Sequence, residues 1–318
     1  MKRITRYPIS SIALFSGFLW VLTGCTEELS FMSKIQPQAE DGFEEDPGEE
    51  IDDPADPVDP VDPVAPGDPI CDPLSQQDGG SDNRHGLLGR LTYLDASAPI
   101  AQSVFNFWQI TSEGLVNPVK PVDISLFSSW INTPTRRFDS GFFVVGEDVP
   151  LLREDGQVLY ENFSLYYQSN LVLGEAEPGE YEFALLADDG AILKIRGAQA
   201  NQSDFVINND GTHPTKMKCS TSKVTLDEDS RFPLELFYHQ GPRYHVSLLL
   251  MWRKLAPGQM AGQDVMCESL GNSLFFNPNV SPSAPTTHYQ QMLNRGWSVV
   301  PSSSYLLPGN VTNPCTEP

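Results

Sequence analysis

Positive charge is scarce in this chain. Its 318 residues hold 20 Lys and Arg against 42 Asp and Glu, a formal net charge of −22. No basic stripe is available to neutralise a phosphate backbone, which excludes a nucleic-acid partner. Common catalytic signatures are missing too: there is no Gly-x-Ser-x-Gly, His-Glu-x-x-His, phosphate loop or dinucleotide fingerprint. Cysteine is sparse, at five residues, and no Cys-x-x-Cys or Cys/His cluster has the spacing of a zinc site. The apolar run Ile12 to Val21 is too short to span a bilayer well.

What is present begins with that short run. Lys2, Arg3 and Arg6 precede it, and it ends in Leu22-Thr23-Gly24-Cys25. A basic start, a brief apolar core and small residues before a cysteine resemble a bacterial lipoprotein signal. Residues 1–24 are then the signal peptide, and Cys25 becomes the lipidated first residue. A secretory signal with a chance cysteine, or an N-terminal membrane helix, are the other readings. Several acyl chains give stable attachment where one does not, so the membrane is reached through the lipid alone. Thr26 stands where an Asp would resemble an inner-membrane retention signal, which points to the outer membrane. In such a chain the sequons at Asn162, Asn201, Asn279 and Asn310 read as ordinary turn and strand residues.

The acidity is concentrated. From Ile35 to Asn83 there are 16 Asp and Glu and no Lys or Arg; from Arg84 onward there are 24 acids and 16 bases. Asp53-Pro-Ala-Asp-Pro-Val-Asp-Pro-Val-Asp-Pro63 is a near-perfect three-residue repeat. Each Pro fixes φ and removes a donor, and each Asp repels the next, so residues 25–83 read as a disordered, extended stalk with polyproline-II character. At about 3.1 Å per residue, the part from Ile35 to Asn83 could reach on the order of 150 Å if fully extended, a spacer that holds the domain clear of the membrane. A weak calcium-binding acidic repeat is the sharper reading of the same stretch.

The four remaining cysteines are Cys71, Cys219, Cys267 and Cys315. In an exported chain an even number favours two disulfides, and three pairings are possible. The pairing adopted is Cys71–Cys315, tying the end of the stalk to the C-terminal tail, with Cys219–Cys267 stapling a C-terminal extension to the domain.

About 235 residues follow the stalk, rich in aromatics, Gly and Pro, which suits one all-β domain of short strands. Gly86 to Tyr93 reads as a first strand; Phe105, Phe107 and Trp108 read as core. Tyr181, Phe183 and Leu185 alternate with Glu182, Ala184 and Leu186, the period of a strand with one better-buried face. Asp188-Asp189-Gly190 interrupts it before Ile192-Leu193-Lys194-Ile195, so the three residues read as a hairpin tip. Such a turn needs only one acid before its Gly, and two side by side repel unless a cation or donors hold them. A further strand opens at Phe205 and leads into the polar loop Asn208-Asn209-Asp210-Gly211. Tyr244, Val246, Leu248, Leu250 and Trp252 share one face of a core strand. His239 and His245 flank the loop before it and read as packed or surface histidines. Thr287 to Arg295 suits a short helix ending at Gly296.

Five pieces in order then resemble the PA14 domain: Pro178-Gly-Glu-Tyr-Glu-Phe183, Leu186-Ala-Asp-Asp-Gly-Ala-Ile-Leu-Lys-Ile195, Val206-Ile-Asn-Asn-Asp-Gly-Thr-His213, Leu234-Glu-Leu-Phe-Tyr-His-Gln-Gly241 and Leu248-Leu-Leu-Met-Trp252. The resemblance covers about 75 residues well and extends more thinly back to Gly86. It implies a β-sandwich over residues 84–254, with residues 255–318 as an extension packed on it. In lectin-like members the adjacent acids are joined by a cis peptide and bind calcium, which in turn holds sugar hydroxyls. Carried over, Asp188 and Asp189 are the calcium ligands, with Asn209 and Asp210 as weaker candidates. Those lectins supply an Asn from a second loop; here His239-Gln-Gly-Pro-Arg243 occupies a suitable place but holds no Asn or acid. Gln240 and Arg243 are its candidate ligand-binding residues. The residues themselves also allow a structural turn, with the acids capping backbone N–H groups.

A glycosidase needs its two carboxyls on opposite sides of a bond, an arrangement adjacent acids do not give. The chain therefore reads as a non-enzymatic, surface-anchored module for glycans or another envelope component, calcium-assisted and adhesive. The alternative is a structural or protein-interaction component of the envelope that uses the fold as a scaffold.

Overall fold

The computed structural model describes residues 70–71, 83–94, 102–104, 120–121, 126–140, 143–144, 149–150, 152–153 and 156–315. The signal, Cys25, most of the stalk, and Phe105, Phe107 and Trp108 lie outside these residues.

The strands in chain order are β1 (Ile70–Cys71), β2 (Leu87–Tyr93), β3 (Lys120–Pro121), β4 (Leu126–Ser128), β5 (Asn132–Arg137), β6 (Phe143–Val144), β7 (Val149–Pro150), β8 (Phe163–Val172), β9 (Gly179–Asp188) and β10 (Ala191–Ile195). They continue with β11 (Phe205–Asn209), β12 (Lys216–Cys219), β13 (Val224–Leu226), β14 (Arg231–Gln240), β15 (His245–Lys254), β16 (Phe276–Asn277), β17 (Ala284–Pro285), β18 (Ser298–Val299) and β19 (Tyr305–Leu306). One sheet runs β1-β4-β2-β8-β14-β10-β11, with β19 beside β8 and β3 beside β2. The other runs β12-β9-β15-β18, with β13 beside β9 and β5 beside β15. Apart from the parallel β1–β4 pair, the described pairings within these sheets are antiparallel.

The all-β sandwich follows from strand alternation. On β8, Phe163, Leu165, Tyr167 and Leu171 point inward; on β10, Ala191, Leu193 and Ile195 do. They meet Tyr181, Phe183, Leu185 and Ala187 of β9, and Val246, Leu248, Leu250 and Trp252 of β15, in one core between the sheets. Each fully buried Leu or Phe contributes roughly 1.5–3 kcal/mol against its exposed state.

The other face of β9 and β15 is covered as well. Ala184, Leu186, Leu249 and Met251 pack under Phe275, Phe276, Tyr289, Met292 and Trp297, forming a second core. The period of two on β9 is intact, and the extension, expected to pack on the domain, supplies a lid for the outward positions. Helix α1 (Thr287–Asn294) lies in this lid. The Thr286 side chain accepts from the Tyr289 N–H at its start, and Gly296, at φ 88°, follows its end. The extension also adds β18 to one sheet and β19 to the other.

Charge reinforces the packing. Arg253 bridges the buried carboxylates of Glu182 and Asp264, the second at 2.9 Å, and its guanidinium lies 4.9 Å from the Trp297 ring centre. Asp264 also accepts from Arg295 at 2.9 Å and from the Trp297 indole at 3.1 Å. Disulfides join Cys71 to Cys315 and Cys219 to Cys267, the pairing read from the sequence. Two disulfides fit an exported chain in an oxidising compartment. Among the described residues no helix is long and apolar enough to cross a membrane.

Candidate functional site

Asp188, Asp189 and Gly190 do not form a hairpin tip. β9 pairs with β12, β13 and β15, whereas β10 pairs with β11 and β14, so the three residues turn a corner from one sheet to the other. Local alternation is the same for a hairpin and for a corner; only the choice of pairing partners separates them. The corner explains the burial of its acids, which sit between layers: Asp188 and Asp189 are each only 6% exposed. The peptide between them is cis, the form that the PA14 resemblance implies for its acid pair.

Two loops, the one between β11 and β12 and the one between β14 and β15, converge on the pair. Asp188 Oδ2 accepts from the Thr215 hydroxyl at 3.3 Å. Asp189 Oδ1 accepts from the His213 N–H at 3.1 Å, and its Oδ2 from the Gly241 N–H at 2.8 Å. Among the described residues no Lys or Arg forms a salt bridge to either carboxylate. Burial, followed by repulsion from Asp189, pushes the Asp188 carboxyl up to about 8. Burial raises Asp189 as well, opposed by the Gly241 N–H and then by His239.

Gly190 permits the close packing. A Cβ there would lie 2.8 Å from each of Asp210 Oδ1, the Gly211 nitrogen and His239 Cε1. The His239 N–H donates to the Gly190 carbonyl at 2.9 Å. Its ring is fully buried, and neither ring nitrogen has a hydrogen-bond partner among the described residues. Burial lowers its pKa, while the nearby Asp189 and Asp210 carboxylates oppose that shift. Sequence pattern marked His239 only as a packed or surface residue; its place beside the acids follows from the β10–β14 pairing.

Asn209 arrives by strand period. Phe205, Ile207 and Asn209 are the inward positions of β11, and Asn209 stands opposite Ala191, two residues beyond Asp189. Its Nδ2 donates to the Lys216 carbonyl at 3.0 Å, but its Oδ1 has no partner among the described residues although the residue is 2% exposed. A buried acceptor left without a donor is costly, and it marks a place where a cation or a donor fits. Asp210 Oδ1 is engaged by the Val104 N–H at 2.6 Å and the Gly211 N–H at 2.9 Å. Among the described residues no three His, Cys, Asp or Glu side chains converge to hold a metal.

The β14–β15 loop divides its candidate residues. Gln240 is buried, its Oε1 accepting from the Tyr238 hydroxyl at 2.6 Å and its Nε2 donating to the His245 carbonyl at 2.9 Å. Both ends of the amide are committed inside the fold, so the structure does not bring Gln240 to a ligand surface. The reason is its inward position on a strand that runs two residues further than the sequence pattern suggests. Arg243 is exposed, has φ 63°, and its N–H donates to Glu161 Oε2 at 2.7 Å. Tyr244, expected on the core face, is instead 74% exposed at φ 69°, because the turn claims it before β15 begins.

No family model matches the chain, and no curated protein matches it. Solved structures do. The PA14 sugar-binding domain from an RTX adhesin is similar at 18% identity, over 55% of this chain and 93% of that one, with a TM-score of 0.34. The PA14 domain of the MpAFP antifreeze protein is similar at 17% identity, over 58% and 91%, with a TM-score of 0.35. The A domain of Epithelial Adhesin 9 from Candida glabrata, solved in complex with Galb1-3GlcNAc, is similar at 14% identity, over 65% and 98%, with a TM-score of 0.33.

Proposed function

We propose that this chain is a surface-displayed, lipid-anchored module that binds glycans through a calcium-assisted site at Asp188 and Asp189. The observation that carries the reading is the buried acid pair, which no Lys or Arg among the described residues neutralises, with Asn209, whose Oδ1 has no partner among those residues, opposite Ala191 on the neighbouring strand. Two adjacent carboxylates in a poorly solvated corner are expensive, and a hard cation with oxygen ligands is the group that offsets the cost. Calcium, when bound, supplies a positive centre that neutralises the pair and polarises sugar hydroxyls. Asp188, Asp189 and Asn209 would hold it. Calcium takes roughly six to eight oxygens, so backbone carbonyls, water and ligand hydroxyls complete the set. Thr215, His213 and Gly241 orient the carboxylates, and Arg243 and Tyr244 lie on the exposed loop that follows Gly241. The signal-like N-terminus and acidic stalk support display away from a bacterial membrane, most simply the outer one.

A second reading has its own support. Asp189 satisfies two backbone N–H groups from separate loops, as a purely structural tie would. On that reading the fold is a scaffold within the envelope. Binding of the full chain to a glycan array, in calcium and in EDTA, separates the two. A glycan retained in calcium and lost in EDTA is the expected result; the absence of any chelator-sensitive glycan would sink the calcium-assisted reading.

A further inference from the structure

We propose that the protein carries a second binding site, specific for uncharged saccharide and independent of calcium, at the opposite end of β9 from the acid pair. Glu180 and Asp188 mark the two ends of that strand, about 26 Å apart at roughly 3.3 Å per residue. Around Glu180 lies a cavity of about 750 Å³, within the range of small-molecule sites.

Its walls come from three segments: the loop after β10, the turn before β13, and the extension loop at 259–263. Each is tied down. Gln199 Nε2 donates to the Lys223 carbonyl at 3.2 Å, joining the first wall to the second. The Gly262 N–H donates to Glu182 Oε2 at 2.8 Å, and the Cys219–Cys267 disulfide clamps the third wall to the second. Gln259 closes its own loop on the Ala256 N–H at 3.1 Å. The cavity is therefore formed before any ligand arrives, which lowers the ordering cost of binding.

The lining chemistry selects the ligand class. Among the described residues Lys223 is the one cation in the lining, and it is paired with Glu180 at 2.5 Å, so none of them offers a free positive charge to a phosphate or carboxylate. Thr221, Ser222 and Gln263 have no side-chain hydrogen-bond partner among the described residues. Hydroxyls both donate and accept, and an amide offers donors and an acceptor side by side, which matches neighbouring sugar hydroxyls. A lipid chain would leave these groups unpaired. Phe232 and Met260, the latter 69% exposed, add apolar surface for the C–H face of a sugar ring, and the flexible thioether adapts its shape.

The test is the full chain on an array of neutral oligosaccharides in EDTA, which silences any calcium-assisted site. At least one neutral glycan is expected to be retained. Ala200→Trp, on an exposed wall position, should weaken it at least tenfold, and Gln263→Ala should weaken it severalfold. Both wall variants lie at exposed positions, and an unaltered melting midpoint shows that they fold. No neutral glycan retained in EDTA, retention of anionic glycans alone, or binding that both wall variants leave intact would overturn the proposal. Failure of the calcium reading shows separately, as the absence of an EDTA-sensitive component.

Discussion

Asp188→Asn tests the electrostatics of the corner. In the metal-free protein, burial and the neighbouring Asp189 raise the Asp188 carboxyl from 3.8 to about 8. Between those values the folded chain binds a proton more tightly than the unfolded chain. Stability is therefore fully present below pH 3.8, falls as pH rises through the window, and levels off above about pH 8. A shift of about four units corresponds to an upper limit on the order of 5 kcal/mol. Asn carries no titrating proton and can still meet the Thr215 hydroxyl, so the variant escapes this loss. In EDTA at pH 9, Asp188→Asn should exceed the parent by about 2–5 kcal/mol, a melting midpoint higher by roughly 5–15 °C. The difference should shrink towards pH 4. Calcium at about a hundred times its dissociation constant should stabilise the parent by about 2.7 kcal/mol and the variant far less. Thermal melting by circular dichroism, at several pH values with EDTA or calcium, reads all of this. A variant less stable than the parent in EDTA at pH 9, or one with an undiminished calcium response, would refute the reasoning.

Arg253→Met strands the fully buried Glu182 with only the Gly262 N–H for company, and urea denaturation should show a loss of about 3–5 kcal/mol. Adding Glu182→Gln should recover part of that loss, because the stranded charge is gone. Gly190→Ala forces a Cβ to within 2.8 Å of Asp210 Oδ1, the Gly211 nitrogen and His239 Cε1; a cost of about 1–3 kcal/mol and a lost calcium response are expected by melting. For Asp264, burial raises the carboxyl, but hydrogen bonds from Arg295, the Met266 N–H and Trp297 outweigh it and bring it down to about 2. Its stabilisation, about 2 kcal/mol, is present above the unfolded value of 3.8 and lost as pH falls through 2, so Asp264→Asn should flatten the acid limb of a stability profile between pH 4 and pH 2.

Much of the fold was legible because strand period is a local property. The inward set Val246–Leu248–Leu250–Trp252 stands in the sequence at every second position, and the structure buries it, whereas Asn209, read as part of a polar loop, is the last inward position of β11. Helix α1 was legible as a short segment from Thr287 ending before Gly296, whereas its cap at Thr286 is seen only in the structure. With Cys25 set aside the sequence left three pairings open, and the structure has the one adopted, Cys71–Cys315 and Cys219–Cys267. Tyr244 was misread because alternation continues through it unbroken, whereas its positive φ belongs to the turn. Gln240 was misread for the complementary reason: β14 continues to it and turns its amide inward, onto Tyr238 and His245.

By itself, the sequence determined where strands run, which residues alternate, where charge accumulates, and that two acids sit side by side at a break between strands. Each is set by neighbours a few positions away. Tertiary structure decided that this break is a corner between two sheets, that β9 is buried on both faces, and that His213, His239 and Gly241 meet the acid pair. Those outcomes depend on which strands pair and on what covers the second sheet. Both are fixed by long-range burial, which brings together residues more than fifty positions apart and removes water from around Asp188 and Asp189.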